Sequence, residues 1–478
     1  MQREAITGEP VRRPTWARRV AGWLPYLLAA APPAFLIAIV LTQTVDVPFA
    51  DQWALIPLLQ HSYKHSLTFQ DFWQQHNEHR LLFPRLAMLG LARLSGWNTR
   101  VEMLASVALA GALFAVLVAQ VRQTGRLLGM RWQWLVPAIS LAVFSLNQAE
   151  SWWGGWNLQI FLSVLAVVAC MALLTQASAR IGTLGLAVAC AVVASYSYGP
   201  GLLVWGAGAA LLILRARPWS AAIGWRLALW CAAGVLTLAA FFYGYHWSAQ
   251  TAPLASIVRA PGRYLVYTTM YLGAAPTRGA VEYLFGAITG DTYAICNLGD
   301  SDLCAMVGTA ALAAGAGGVL LFAFGTWALL RRVALQTLLP YIGLGLYALA
   351  SGLMTGLSRA AYGNNQALAQ RYATNASLFW IALVILAALC AHAYGPHRWL
   401  GAAAKGLILA FGVSIALSTI QGLDHFRWQH SFLDPAREAL LVGDDDALLQ
   451  RLYPDPKIVR AGRAFLQQRH LSVFRRTS

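Results

Sequence analysis

The chain has 478 residues, of which 58% are hydrophobic and only 11% charged, and its mean hydropathy is +0.54. A water-soluble domain carries about a quarter charged residues, so water is excluded as its main solvent. The net charge of +16 does not point to nucleic acid, because the arginines collect between apolar runs (Arg12, Arg13, Arg18 and Arg19; Arg122, Arg126 and Arg131; Arg215 and Arg217; Arg331 and Arg332), where they orient a membrane chain.

Uninterrupted apolar runs of roughly 18 to 22 residues recur, the length a helix needs to cross hydrocarbon, whereas a membrane β-barrel would show short alternating strands. The expected fold is all-α, a polytopic bundle of about eleven transmembrane helices. Residues 1–22 read as a cytoplasmic basic tail, and no cleavable leader is evident. A first helix near Trp23 to Gln43 leads outward into an external loop, 44–100, which carries VDVPFADQWALIPLL and DFWQQHNEHR at spacings that suit helices lying on the membrane surface. Leu82 to Leu94 is apolar but short and holds Arg85 and Arg93, so it is read as an interfacial helix. That reading returns helix two (near Val101 to Val121) with its arginines to the cytoplasm.

Helices three (near Trp134 to Leu146), four (near Ile160 to Thr175), five, six (Leu202 to Leu214) and seven (near Leu227 to Tyr245) follow, with a Gly-Pro break at SYSYGPG. A second large external segment, 246–302, contains apolar stretches such as YLVYTTMYLGA that read as re-entrant or interfacial. Helices eight to eleven run near Ala305 to Leu330, Leu338 to Leu353, Ala376 to His392 and Gly401 to Leu417. They close the transmembrane part, 23–420, and leave an external helical tail, 421–478. The large polar segments then fall on one face and the short basic connections on the other.

Chemistry is expected on the external face. Asp46 and Asp51, in VDVPFADQW, offer a general base, a hold on a divalent cation, or simply two solvated carboxylates. His76, Glu78, His79 and Arg80 form the densest cluster of functional groups, but not at the spacing that puts two imidazoles of a zinc motif on one helical face. On a regular helix His76 and His79 share a face and Glu78 points away. Substrate hydrogen bonding, with Arg80 pairing an anion, is the expectation. Glu150, Arg359, Tyr362, Gln366, Arg371 and Tyr372 lie at external helix ends. An external arginine gains nothing from the positive-inside bias, so Arg359 and Arg371 suit a lipid-linked phosphate, or else they pair with a carboxylate such as Asp51 or Glu150. Of six cysteines, Cys296 and Cys304 share the polar loop CNLGDSDLC and are candidates for a disulfide; the other four sit in apolar runs.

This order of features resembles the GT-C superfamily of glycosyltransferases: one helix, an aspartate-bearing first external loop with surface helices, an arginine-rich return after helix two, and then a bundle. The chain also resembles a group of bacterial membrane proteins that share a DQW segment, an HNEHR-like segment and the pattern R-x-x-x-G-x-x-x-A-x-x-x-R-Y, here Arg359 to Tyr372. The resemblance implies a polyprenyl-phosphate-linked sugar as donor, a glycan or lipid acceptor, and a bacterial inner membrane with the C-terminal tail periplasmic. It gives the role of catalytic carboxylate to Asp51, with Asp46 second. Members often carry adjacent acidic residues in this loop, whereas Gln52 follows Asp51 here, so no metal ligand is assigned and a divalent cation is the one cofactor left open. The rival readings are a transporter or flippase for a lipid-linked or anionic substrate, and a non-catalytic partner of an envelope complex.

Overall fold

The structure is a computed structural model that describes residues 15–176, 180–215, 221–247, 255–291, 294–299, 301–395, 398–443 and 445–475. Residues 1–14 of the basic tail lie outside the described residues. Helices of eight residues or more are labelled in chain order: α1 (Thr15–Gln43), α2 (Ile56–Tyr63), α3 (Leu82–Ser95), α4 (Thr99–Leu128), α5 (Val136–Val143), α6 (Leu158–Thr175), α7 (Ile181–Ser195), α8 (Val204–Arg215), α9 (Ala221–Phe242), α10 (Pro261–Thr289), α11 (Asp302–Leu330), α12 (Leu335–Arg359), α13 (Ala373–Ala393), α14 (Arg398–Val442) and α15 (Pro456–Arg469). The described sheet is one two-residue hairpin, β1 (Gln75–His76) with β2 (His79–Arg80).

Apolar runs form helices here because a backbone out of water must satisfy its own hydrogen bonds. Local signals set their ends: the Asn98 side chain accepts from the Arg100 N–H at the start of α4, and Gly129 in the left-handed region closes it. Among the described residues, eight helices are long and apolar enough to cross a membrane: α1, α4, α6, α9, α11, α12, α13 and α14. The other three of the eleven expected spans fall on α5, α7 and α8, which at 8, 15 and 12 residues are shorter than a full crossing. The chain is a multi-pass membrane protein. Burial separates its helices, since 72% of the apolar window of α13 is buried but only 22% of that of α9, which makes α13 central and α9 peripheral.

Three boundaries differ from the sequence reading. The segment 246–302 is not an open loop with interfacial pieces: α10 runs 29 residues and packs between α11, α12, α13 and α14, burying Tyr267, Tyr271 and Leu272 completely or nearly so. Its first turn and its middle are tied to the same connection, Arg263 to the Ala360 carbonyl and Arg278 to the Leu368 carbonyl. The last bundle helix does not stop near Leu417 either, because α14 continues through Pro435 to Val442. The third expected helix is brief, eight residues after a 3-10 turn at Trp132–Leu135.

A second hydrophobic core joins the first loop to the C-terminal tail. Trp53, Leu58, Met88 and Trp97 pack with Leu440, Leu449, Leu452 and Leu466. The Ala50 N–H donates to the Leu452 carbonyl at 2.8 Å, the Ser472 N–H donates to the Gly96 carbonyl at 2.8 Å, and Arg475 pairs with Asp46. Gly462 lies so close to Trp53 that a Cβ there would come within 2.8 Å of the ring, which is why the α15 contact needs glycine. The helix α3, 14 residues or roughly 21 Å long, belongs to this cap; it is too short for the hydrocarbon.

Candidate functional site

The cap and the bundle enclose a cavity of about 1130 Å³ between the first loop and the ends of α6, α9 and α12. Asp51 enters it from a 3-10 turn, Ala50–Leu55. Neighbouring side chains hold that turn from behind. Gln52 is completely buried and donates to Glu102 Oε2 at 2.6 Å, its Oε1 accepts the Phe49 N–H at 3.2 Å, and the Trp53 indole donates to the Pro48 carbonyl at 3.0 Å. With Gln52 and Trp53 turned inward, Asp51 is left about half exposed, 48%, on the cavity wall.

The hairpin supplies the facing groups. His76 pairs with His79 across β1 and β2, with Asn77 in the left-handed region at the turn. The segment is therefore not the regular helix on which Glu78 would point away, and His76, Glu78 and His79 all line the cavity. His76 Nε2 stands 3.5 Å from Asp51 Oδ2, with its ring against Trp156. The His76 contact is the largest cause holding the Asp51 carboxyl below its ordinary value of 3.8. His79 Nδ1 accepts the Gly199 N–H at 3.1 Å, so that nitrogen carries no proton. Burial pushes the His79 imidazole down to about 3, leaving it neutral with its other nitrogen as the donor.

Both arginines are paired with carboxylates, though not with Asp51. Arg359 donates to Glu78 at 2.8 Å. Arg371 donates to Glu150 Oε1 at 2.7 Å, and its backbone N–H reaches Oε2 at 3.3 Å. Tyr372 is buried and lines the cavity beside them. Away from the charges the wall turns apolar: Phe241, Phe242, Tyr245 and Trp247 at the end of α9 face Leu353 and Met354 of α12. Phe242 and Trp247 stack at 5.5 Å and are 40% and 68% exposed, so this arm reaches the protein surface.

Four expected site residues lie elsewhere. Asp46 accepts from the Thr99 N–H and hydroxyl at 2.8 and 2.9 Å and pairs with Arg475, which makes it a clamp between loop and tail. Arg80 is buried and donates to the carbonyls of Trp73, Phe241 and Tyr243, so its guanidinium is occupied by the hairpin's own anchorage. Gln366 and the half-exposed Tyr362 do not line the cavity. Cys296 and Cys304 are joined by a disulfide. Among the described residues no group of three or more His, Cys, Asp or Glu is placed to hold a metal ion.

The sequence reading missed Gln52 and Glu102, and also a buried chain behind the arginines. Arg278 donates to Glu282 at 2.9 Å, Glu282 meets His425 at 3.1 Å, and His425 meets Gln370 at 3.2 Å. Gln370 in turn accepts the Glu150 N–H at 3.2 Å. The available signal was Arg278 and Glu282, spaced i,i+4 within an otherwise apolar stretch.

No family model matches the chain, and no curated protein matches it. Among solved structures its fold is similar to that of ArnT from Cupriavidus metallidurans, a crystal structure bound to undecaprenyl phosphate. The TM-score is 0.45, with 14% sequence identity over 94% of this chain and 89% of that one.

Proposed function

We propose that the protein is a membrane glycosyltransferase of GT-C type, which moves a sugar from a polyprenyl phosphate to a hydroxyl of a cell-envelope acceptor on the outer face of the inner membrane. One observation carries the reading: a single cavity joins a half-exposed carboxylate, Asp51, to two guanidiniums, Arg359 and Arg371, and continues into an aromatic arm at the surface of a peripheral helix. The arm suits a polyprenyl chain, the arginines suit its phosphate, and Asp51 suits the acceptor.

In this mechanism the acceptor oxygen attacks the anomeric carbon while the bond from that carbon to the phosphate oxygen breaks. The acceptor proton passes to Asp51. The departing polyprenyl phosphate keeps the electron pair, and its added negative charge is met by Arg359 and Arg371. Groups already in place for that charge are worth more than the same groups recruited from water. Glu78 and Glu150 hold the two guanidiniums in position until the phosphate arrives. His79, neutral and fixed by the Gly199 N–H, offers a hydrogen bond to a sugar hydroxyl without adding charge.

A transporter would use a path that continues to the opposite face. The first cavity opens beside Asp51, and the second lies at the far ends of α6 and α12. The test is turnover of polyprenyl-phosphate sugars by the purified protein with envelope lipid or glycan acceptors. Release of free polyprenyl phosphate together with a glycosylated acceptor is expected. Translocation of the intact donor in vesicles, with no release, would select the transporter instead.

A further inference from the structure

The ends of α6 and α12 remote from Asp51 frame a second cavity, of about 400 Å³. The first cavity touches Gln159 and Ile160 at the start of α6 and Arg359 at the end of α12. The second touches Thr175 and Gln176 at the other end of α6 and Gln336 and Thr337 at the start of α12. At 1.5 Å per residue the two lie roughly 20 Å apart along α6.

The lining of this second cavity contains no Asp, Glu, Lys, Arg or His. Its polar groups are carboxamides and hydroxyls, among them Gln120 and Thr124 of α4. Gln120 is the informative residue. It is only 8% exposed, yet neither its Oε1 nor its Nε2 has a hydrogen-bond partner. A buried carboxamide with both ends unmet is costly, so native proteins rarely leave one without an occupant to complete it. A carboxamide presents a donor and an acceptor side by side, which matches a hydroxyl or a pair of hydroxyls. With no counter-charge in the lining, a charged headgroup would be desolvated without compensation. The rim is apolar: Leu127 and Leu186, which line the cavity, are 70% and 55% exposed on the outer faces of α4 and α7.

We propose that this second cavity binds an uncharged, hydroxyl-bearing headgroup of a membrane lipid, of the diacylglycerol class, with Gln120 as its main polar contact and the acyl chains running out past Leu127 and Leu186. The proposal stands independently of the glycosyltransferase reading, because it uses no residue of the first cavity.

Cys190 also lines the second cavity, whereas the exposed Cys231 does not, so alkylation reports occupancy at a defined site. The full-length protein in detergent micelles is treated with N-ethylmaleimide, and the Cys190 and Cys231 peptides are quantified with added 1,2-dioctanoylglycerol, glycerol, or dioctanoyl phosphatidylglycerol. Dioctanoylglycerol is expected to protect Cys190 saturably and leave Cys231 unchanged. Gln120→Leu is expected to raise the half-protecting concentration about tenfold, and Gln120→Met, closer in shape, provides a second variant if the first fails to fold. Equal protection by glycerol would replace the lipid with a soluble polyol. Stronger protection by the anionic lipid would contradict an uncharged ligand. No protection, or the same protection in both variants, would overturn the site.

Discussion

His76 Nε2 lies 3.5 Å from Asp51 Oδ2, and no other hydrogen-bond partner reaches that nitrogen among the described residues. The distance exceeds that of a good hydrogen bond but sets the imidazole directly beside the carboxylate. Both side chains are placed from behind, Asp51 by Gln52 and Trp53 within its turn, and His76 by the hairpin and Trp156. In the proposed mechanism His76 keeps Asp51 ionised and aimed at the acceptor. Replacing His76 with Gln should lower kcat/KM roughly tenfold, about 1.4 kcal/mol of transition-state stabilisation. The acid limb of the pH profile should move upward, because the group that depresses the Asp51 carboxyl is gone. An unshifted acid limb would mean that His76 does not act through Asp51.

Glu102 is the anchor of the turn. It accepts from Gln52 at 2.6 Å and from the Trp97 indole at 3.1 Å, and Gly155 leaves it the space to do so. Glu102→Leu strands two buried donors and should destabilise the protein by about 1–3 kcal/mol for each, read as a fall in melting temperature in detergent. Glu102→Gln keeps an acceptor for one of them and should recover most of the stability. Equal melting temperatures for the two variants would show that the turn is held by other contacts.

His79 gives a pH signature of stability. Its folded value of about 3 lies below the ordinary 6.5, so between those limits the unfolded chain binds a proton that the native site refuses. The resulting stability is complete above about 6.5 and declines as pH falls toward about 3. Asp51, lowered from 3.8, contributes only near the acid end of that window. Melting temperatures of the wild type and His79→Gln should therefore converge as pH drops from 7 to 4, as the penalty carried by the histidine grows. Parallel curves would place His79 in a site that accepts its proton.

The legible parts of this fold are those where composition alone decides. Apolar runs such as 373–393 and 302–330 can only be helices in lipid, and Leu82 to Leu94 forms the helix its apolar spacing suggested. The helix α10 was not legible. Arg278 and Glu282 lower its apparent hydropathy, but they neutralise one another inside the bundle, with carbonyls of Leu368 and Cys296 completing the guanidinium. The site was legible as a set of residue types on one face. Its geometry was not: a tight hairpin stands where helical spacing was expected, and the partners of Arg359 and Arg371, Glu78 and Glu150, lie over two hundred positions away in sequence. Asp46 and Asp51 look equivalent on paper, and only packing of the tail through Arg475 separates a clamp from a candidate base.

The chain from Arg278 through Glu282, His425 and Gln370 supports Glu150 and Arg371 from the bundle side. Glu282→Leu leaves the Arg278 guanidinium buried without its counter-ion and should cost about 3–5 kcal/mol. Glu282→Gln should fold, and should raise KM for the lipid-linked donor more than it lowers kcat, because it loosens the support of Arg371, the proposed phosphate contact, without touching Asp51. Reducing the Cys296–Cys304 disulfide should act in the same direction, since Cys296 bonds both Glu282 and Arg278 through its backbone. A change in kcat alone would argue against a positioning role.

The central claim is that Asp51 takes the acceptor proton in a glycosyl transfer. The direct measurement compares Asp51→Asn with the wild type in donor binding and in single-turnover transfer from a polyprenyl-phosphate sugar. The account predicts donor affinity within about twofold and a transfer rate lower by about 10³. Transfer at close to the wild-type rate, from a protein of unchanged melting temperature, would contradict it.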